Sequence, residues 1–233
     1  MESQIAILQQ LIDNSHYTVV ISGAGISVST GIPDMFHLNM ADTFQFMSTA
    51  LLKNAPNHYL KIAKKLFLDF MFIHGPSPAH RKLAELEENG KIQGIITTNL
   101  DSMHTLAGSK NVAEIQGSFG VNKCLKCEKR HDDVHIWNKG SAPKCECGGA
   151  ICCFPVYSHV GLFNEAVPKA RSWISKAELV IVIGAKGNYG GVYWDYLKSN
   201  TTIVQVNPEH TQFDNIAKIN IREGADEVIR KMI

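Results

Sequence analysis

Six cysteines lie between Cys124 and Cys153, and none lies elsewhere in the 233 residues. Cys124-x-x-Cys127 is followed, after seventeen intervening residues, by Cys145-x-Cys147 and two glycines. Paired thiols on tight turns, with a loop of this length between them, can present four thiolates tetrahedrally to one Zn²⁺. A ligand set made wholly of thiolates leaves no open position, so such a metal is structural. The second pair is one residue tighter than the commonest spacing, so Cys152, Cys153, His131 or His135 could replace one ligand. The clustering argues against a disulfide framework spread through a fold. A redox role for Cys152 and Cys153 would need a perturbing environment.

Gly23-Ala24-Gly25 follows the β-branched run Thr18-Val-Val-Ile21. A Gly-rich turn at the carboxyl end of a strand lets backbone N–H groups approach a pyrophosphate, although the same residues also suit an ordinary tight turn. Asn99 and Asp101 stand two apart just after a second apolar run, so both can project toward one ligand or cap the turn that follows. Trp194 with Tyr189, Tyr193 and Tyr196 could wall a cofactor or acceptor, and core packing explains them equally well.

The elements that must position these residues alternate in type. Ile5, Leu8, Leu11 and Ile12 recur at helical spacing before the strand at Thr18. Apolar and aromatic residues between Asp42 and Phe72 predict two helices broken near Asn54-Ala-Pro56. A helix is predicted from Ser77 to Asn89, then strands at Ile92 to Thr98 and Val112 to Ile115. Hydrophobic periodicity fades over 119–153, as an inserted module would require. A helix at Glu165 to Lys176, strands at Leu179 to Ile183 and Ile203 to Val206, and a closing helix from Ala225 complete the pattern. Strands alternating with helices imply a parallel sheet covered on both faces. The expected class is α/β: a Rossmann-like sheet with an inserted zinc ribbon and a helical module. The parts are placed at about 1–36, 74–118 and 177–233 for the sheet, 37–73 for the cap and 119–156 for the ribbon.

Composition narrows the class. Hydrophobic residues make up 45% and charged residues 19%, enough apolar material for a core. The formal net charge of +1 supplies no overall field toward nucleic acid or an anionic membrane. No apolar run reaches the roughly 20 residues of a spanning helix. With a start, Met1-Glu-Ser-Gln, that lacks a secretory pattern, the expected location is cytoplasmic.

The string from Gly23 through Ser27, Gly31, Ile32 and Pro33 to Asp34 resembles the cofactor loop of the sirtuins, the silent information regulators, which consume NAD. Pro76-Ser-Pro-Ala-His80, Thr97-Thr98-Asn99-Leu-Asp101, Ile115-Gln116-Gly117, the cysteine module, Gly184-Ala185-Lys186, Val206-Asn207-Pro208-Glu209 and Gly224-Ala225 follow in the family's order. The resemblance implies that NAD is a cosubstrate broken at its nicotinamide–ribose bond. It implies NAD contacts at Gly23, Ala24, Gly25, Ser27, Ile32, Pro33, Asp34, Phe36, Thr98, Asn99, Asp101, Gln116, Gly184, Ala185, Lys186, Asn207, Pro208, Glu209, Gly224 and Ala225. It also implies that Asn99 orients the nicotinamide ribose and holds water, while Asp101 holds the nicotinamide amide side or a ribose hydroxyl. Acceptors of this kind lower the energy of an oxocarbenium-like transition state.

Four departures from the family bear on the chemistry. Thr98 stands where a Gln is usual, and Met35-Phe36 where Phe-Arg is usual. Cys152-Cys153 fall where the protein-substrate segment has Arg-Pro, and Phe163 to Pro168 resembles its end, displaced. Gln116 occupies the place of the His that serves the family's deacylases as general base. A carboxamide has no protonation change near neutral pH, so it can orient a hydroxyl and cannot take its proton. Among other bases, His37, His58, His74, His104 and His159 are candidates, His37 lying on the cofactor loop. Asn99, Asp101 and Gln116 are the expected catalytic set, and Ile115-Gln116-Gly117-Ser-Phe-Gly120 preceded by Thr97-Thr-Asn99 resembles the macrodomain-linked microbial sirtuins, which are ADP-ribosyltransferases. The expected function is therefore transfer of ADP-ribose from NAD to a protein acceptor, a lipoyl-carrier protein by the same resemblance. The alternatives are NAD-dependent deacylation of protein lysine, and a module that binds NAD or ADP-ribose without turnover.

Overall fold

The computed structural model describes residues 2–32, 39–158, 161–188 and 190–232. Six parallel strands form the main sheet: β1 (Thr18–Ser22), β2 (Gly94–Thr97), β3 (Val112–Glu114), β6 (Leu179–Ile183), β7 (Thr202–Val206) and β8 (Ile219–Ile221). Their order is β3-β2-β1-β6-β7-β8. The chain runs outward from β1 to one edge, then returns to pair β6 with β1 and runs to the other edge. The β1/β6 boundary is thus the topological switch point, where loops leave in opposite directions and open a crevice beyond the carboxyl ends. The expected Rossmann-like arrangement is present.

Side chains of β1 alternate between two cores, as helices on both faces require. Val20 joins Leu8 and Ile12 of α1 (Glu2–Asn14), Leu83 and Leu86 of α5 (Pro78–Glu88) and Val228 of α9 (Ala225–Ile229) in one core. Val19 and Ile21 face the other way, onto Ala170 and Ile174 of α7 (Ala166–Ile174). Every residue of β1 and β6 is buried, so these strands read as apolar runs and lack alternation.

A third core lies outside the sheet. It joins α2 (Met40–Phe46), α3 (Thr49–Asn54) and α4 (Pro56–Ala63) to the cysteine module, which contains the antiparallel pair β4 (Asn122–Cys124) and β5 (Ile151–Cys153). Pro56 starts α4 as expected, and π turns over Lys64–Leu68 and Phe70–His74 extend it. The expected two helices are three. Ser48 accepts from the Leu51 N–H and so caps a new helix where periodicity alone reads through. Phe46, Tyr59, Phe119 and Trp137 form an aromatic chain at the centre of this core. The fully buried Trp137 donates to Asn122 Oδ1 at 2.8 Å, and Asn122 donates to the Phe119 carbonyl at 2.8 Å. Cap and ribbon are therefore one packed unit. β8 and the short α6 (Met103–Leu106) were not expected, being three and four residues long.

Replacing Trp137 should expose how far the ribbon depends on the cap. Trp137→Ala is expected to cost about 3–5 kcal/mol, read as the shift in a urea transition.

Candidate active site and metal centre

Glycine is required where the loops after β1 and β6 meet. Gly23 donates to the Ile183 carbonyl at 3.1 Å and Gly25 to the Gly184 carbonyl at 3.0 Å. A Cβ on Gly25 would lie 2.7 Å from Gly184 Cα, and one on Gly184, whose φ is 59°, would lie 2.5 Å from the Ile26 nitrogen. The sequence offers the N–H groups of Gly23 and Gly25 to a pyrophosphate, but these donors are engaged by carbonyls of the neighbouring loop. The glycines serve close backbone approach, and the chain continues from them into two 3₁₀ turns, Ala24–Ile26 and Val28–Thr30, in place of an α-helix.

Asn99 and Asp101 both reach this loop. Asn99 Nδ2 donates to the Gly23 carbonyl at 3.2 Å and to Ser27 Oγ at 3.3 Å. Ser27 Oγ in turn donates to Asp101 Oδ2 at 2.7 Å, and all three residues are buried. Asp101 also caps the next turn, its Oδ1 accepting from the Met103 N–H at 3.0 Å. Its two oxygens offer about four acceptor sites, so capping leaves capacity for a ligand. Thr98 stands half-buried next to them.

The remaining expected contacts ring the same sheet end. Asn207 donates to the Ala185 carbonyl at 3.2 Å, tying the β7 loop to the β6 loop. Lys186 pairs with Glu209 at 2.8 Å, both largely exposed, beside exposed Pro208. Gly224 opens α9, where Ala225 is buried. Gln116 follows β3, whose end is tied to β2 by Ile115 N–H donating to the Thr97 carbonyl at 3.0 Å. Ile32 is buried in the cap core. Pro33, Asp34, Phe36 and His37 lie outside the described residues, as do His159 and Tyr189.

The histidine candidates among the described residues are otherwise engaged. His104 is buried against Ser22 Oγ at 2.8 Å, and its ring meets that of His80 edge-on at 4.7 Å. Burial pushes both imidazoles below their ordinary range. His80 holds His104 down further, whereas Asp101 and Asp226 oppose the fall at His80. His58 bonds Gln45 at 3.1 Å, and His74 stacks on Phe70. Tyr193, which ends α8 (Gly190–Tyr193), is buried and Trp194 packs on Phe213, so these two are packing, while Tyr196 is exposed under Arg171.

Aromatic groups lie beyond Gln116. A Cβ on Gly117 would strike the Phe154 ring at 2.0 Å, and Phe163 N–H donates to the Ile115 carbonyl at 2.5 Å. A 580 Å³ cleft opens there, walled by Phe154, Tyr157 and Phe163 with Lys123, Arg130 and Glu165 at its rim.

Cys124, Cys127, Cys145 and Cys147 bring their sulfurs within 4.8 Å of one another. Cys124 and Cys147 Sγ stand 3.6 Å apart, and Cys127 and Cys145 Sγ 3.7 Å. Tetrahedral Zn–S bonds of about 2.3 Å require sulfurs about 3.8 Å apart, so this set fits zinc. The shorter second spacing is accommodated without Cys152 or Cys153. Those two thiols are buried in the cap core, where burial pushes Cys152 up to about 12 and Cys153 higher, which excludes a ready thiolate. His131 Nε2 lies 3.3 Å from Cys145 Sγ, where it can orient that ligand from outside.

Comparison with known proteins settles the family. The Sir2 family profile matches residues 23–188. The chain belongs to the Sir2 family. It is 32% identical to the NAD-dependent protein deacetylase of Clostridium perfringens over 100% of both chains. It is 35% identical to that of Sulfurisphaera tokodaii, over 94% of this chain and 90% of that one. The crystal structure of a Sir2 homologue bound to NAD superposes with a TM-score of 0.77 at 26% identity, covering 97% of this chain and 91% of the other. This sirtuin is an NAD-dependent enzyme with NAD as cosubstrate, and its four-cysteine cluster fits structural zinc.

Elemental analysis should find one zinc per chain, and Cys145→Ser should lose it and lower Tm by roughly 10 °C. The buried neutral histidines give a pH signature. Their folded-state pKa values lie below the ordinary 6.5, so their contribution to stability is present above 6.5 and lost as pH falls. Urea midpoints should therefore drop between about pH 7.5 and 5.5, and a His104→Asn variant should show a weaker drop.

Proposed function

We propose that this sirtuin is an NAD-dependent protein-lysine deacylase whose first step, release of nicotinamide, is unimpaired and whose later steps are slow. The observation that carries deacylation is the full-length similarity to proteins named NAD-dependent protein deacetylase. This reverses the weighting drawn from the sequence, where Gln116 favours ADP-ribose transfer.

NAD would lie across the β1/β6 crevice, with its adenosine toward Asn207 and its nicotinamide ribose toward Asn99, Ser27 and Asp101. The positive charge that grows on the ribose as the bond to nicotinamide breaks would be stabilised by Asp101, a buried carboxylate fixed in place by Ser27 and the Met103 N–H. An acyl-lysine would enter from the cleft of Phe154, Tyr157 and Phe163. Gln116 would hold a ribose hydroxyl by hydrogen bonds while leaving its proton in place, which slows the step after nicotinamide release by about 10²–10⁴.

That same residue favours a second reading. A site that breaks NAD and resolves the acyl intermediate slowly is suited to passing ADP-ribose to another protein nucleophile, with a lipoyl-carrier protein among the acceptors to try.

The test is one incubation with NAD, an acyl-lysine peptide and a lipoylated carrier protein, following nicotinamide, acyl-ADP-ribose and protein mass together. Deacylation predicts nicotinamide and acyl-ADP-ribose. Nicotinamide with a protein mass gain of one ADP-ribose would replace it with the second reading, and bound NAD with no nicotinamide would leave a binding module. Gln116→His is expected to raise acyl-ADP-ribose formation at least about a hundredfold with little change in nicotinamide release.

A further inference from the structure

A second carboxyl group stands behind the site, and neither nicotinamide release nor deacylation as derived above makes use of it. Ala113 and Ile115 are buried in the sheet core beneath α7, and Glu114 at the end of β3 points away from that core. Ser118 Oγ donates to Glu114 Oε2 at 2.6 Å. The Gly120 N–H donates to Ser118 Oγ at 3.0 Å and to Ser102 Oγ at 3.1 Å, and the Ser102 hydroxyl also faces the Glu114 carboxyl. Ser102 is the residue after Asp101. It is buried with φ at 51°, a conformation that a non-glycine residue keeps only where its surroundings impose it. The serine cluster that holds Glu114 is therefore also the cluster that fixes the backbone of Asp101.

We propose that Glu114 is a positioning and charge-bearing residue of the NAD site, acting through Asp101 and the Ser102 and Ser118 hydroxyls to set how strongly the site favours the cationic nicotinamide end. The inference rests on the reading that this end of NAD lies against Asn99 and Asp101.

The charged groups that face the carboxyl, among the described residues, are Asp101 from the loop after β2 and Lys169 from α7. Burial pushes Glu114 up to about 7. Asp101 adds to the rise, while the Ser118 and Ser102 hydroxyls and Lys169 oppose it. Below about pH 7 the Glu114 carboxyl is neutral. Above about pH 7 it places a negative charge behind Asp101. With Gln116 unable to ionise, Glu114 is the carboxyl that burial brings into the physiological range in this cluster, among the described residues.

NAD and ADP-ribose share their phosphates and adenosine, and only NAD carries the nicotinamide cation. The ratio of their affinities therefore reports charge at that end, and calorimetry can measure it from about pH 6 to pH 8. The wild type should favour NAD more strongly at about pH 8 by on the order of tenfold. Glu114→Gln should bind both ligands with a ratio independent of pH, and Glu114→Asp should restore the dependence. The rate of nicotinamide release should rise with pH through about 7 in the wild type and lose that inflection in Glu114→Gln. A flat ratio in the wild type, or a pH dependence that survives Glu114→Gln, would overturn the inference while leaving the NAD site intact. Failure of the wild type to bind either ligand would overturn both.

Discussion

The site depends on the contact between the loops after β1 and β6. Backbone meets backbone there with no room for a Cβ at Gly25 or Gly184, and two hydrogen bonds lock Gly23 and Gly25 to the neighbouring strand end. That contact fixes Gly23, whose carbonyl receives Asn99, and Ser27, which bridges Asn99 to Asp101. The loop after β1 thus acts as a template on which the polar groups from β2 are set. Because both strands are fully buried and lie at the switch point of the sheet, the template is anchored in the most rigid part of the fold.

A second unit closes the site from the far side. The helical cap and the cysteine ribbon share one aromatic core, and the four-sulfur cluster sits in a smaller core of its own with Ile151 on the same ribbon. Phe119 belongs to that core, and its N–H donates to the Leu100 carbonyl between Asn99 and Asp101. Phe154, two positions beyond Cys152, packs on Gly117. The cysteine module, the cap and the strand ends near Gln116 are thereby coupled through packed side chains.

Much of this was legible in the sequence where one signal sufficed. The run Leu179 to Ile183 is a strand because five apolar, mostly β-branched residues cannot be solvated, and Ser77-Pro78 starts a helix because its hydroxyl caps the His80 N–H. The cysteine spacing pointed to Cys124, Cys127, Cys145 and Cys147, and only their clustering in space set aside Cys152 and Cys153 as replacements. Features that escaped depended on partners distant in the chain. Ile219-Asn-Ile221 is too short to read as a strand, and it forms one only because β7 offers an edge. The engagement of the Gly23 and Gly25 N–H groups depends on the position of Gly184, far along the chain. Glu114 was missed for the same reason, since its serine partners come from two different loops. One clue was visible: an acid set between Ala113 and Ile115 in an apolar strand must face something polar.

The central claim is that a rigid polar triad at the switch point breaks NAD even though Gln116 replaces the general base. Release of labelled nicotinamide from NAD, compared between the wild type and a folded Asn99→Ala variant, addresses it directly. The account predicts turnover in the wild type and a fall of about 10² or more in the variant, with Tm little changed. Wild-type protein that binds NAD and releases no nicotinamide, or an Asn99→Ala variant that releases it at the wild-type rate, would contradict the account.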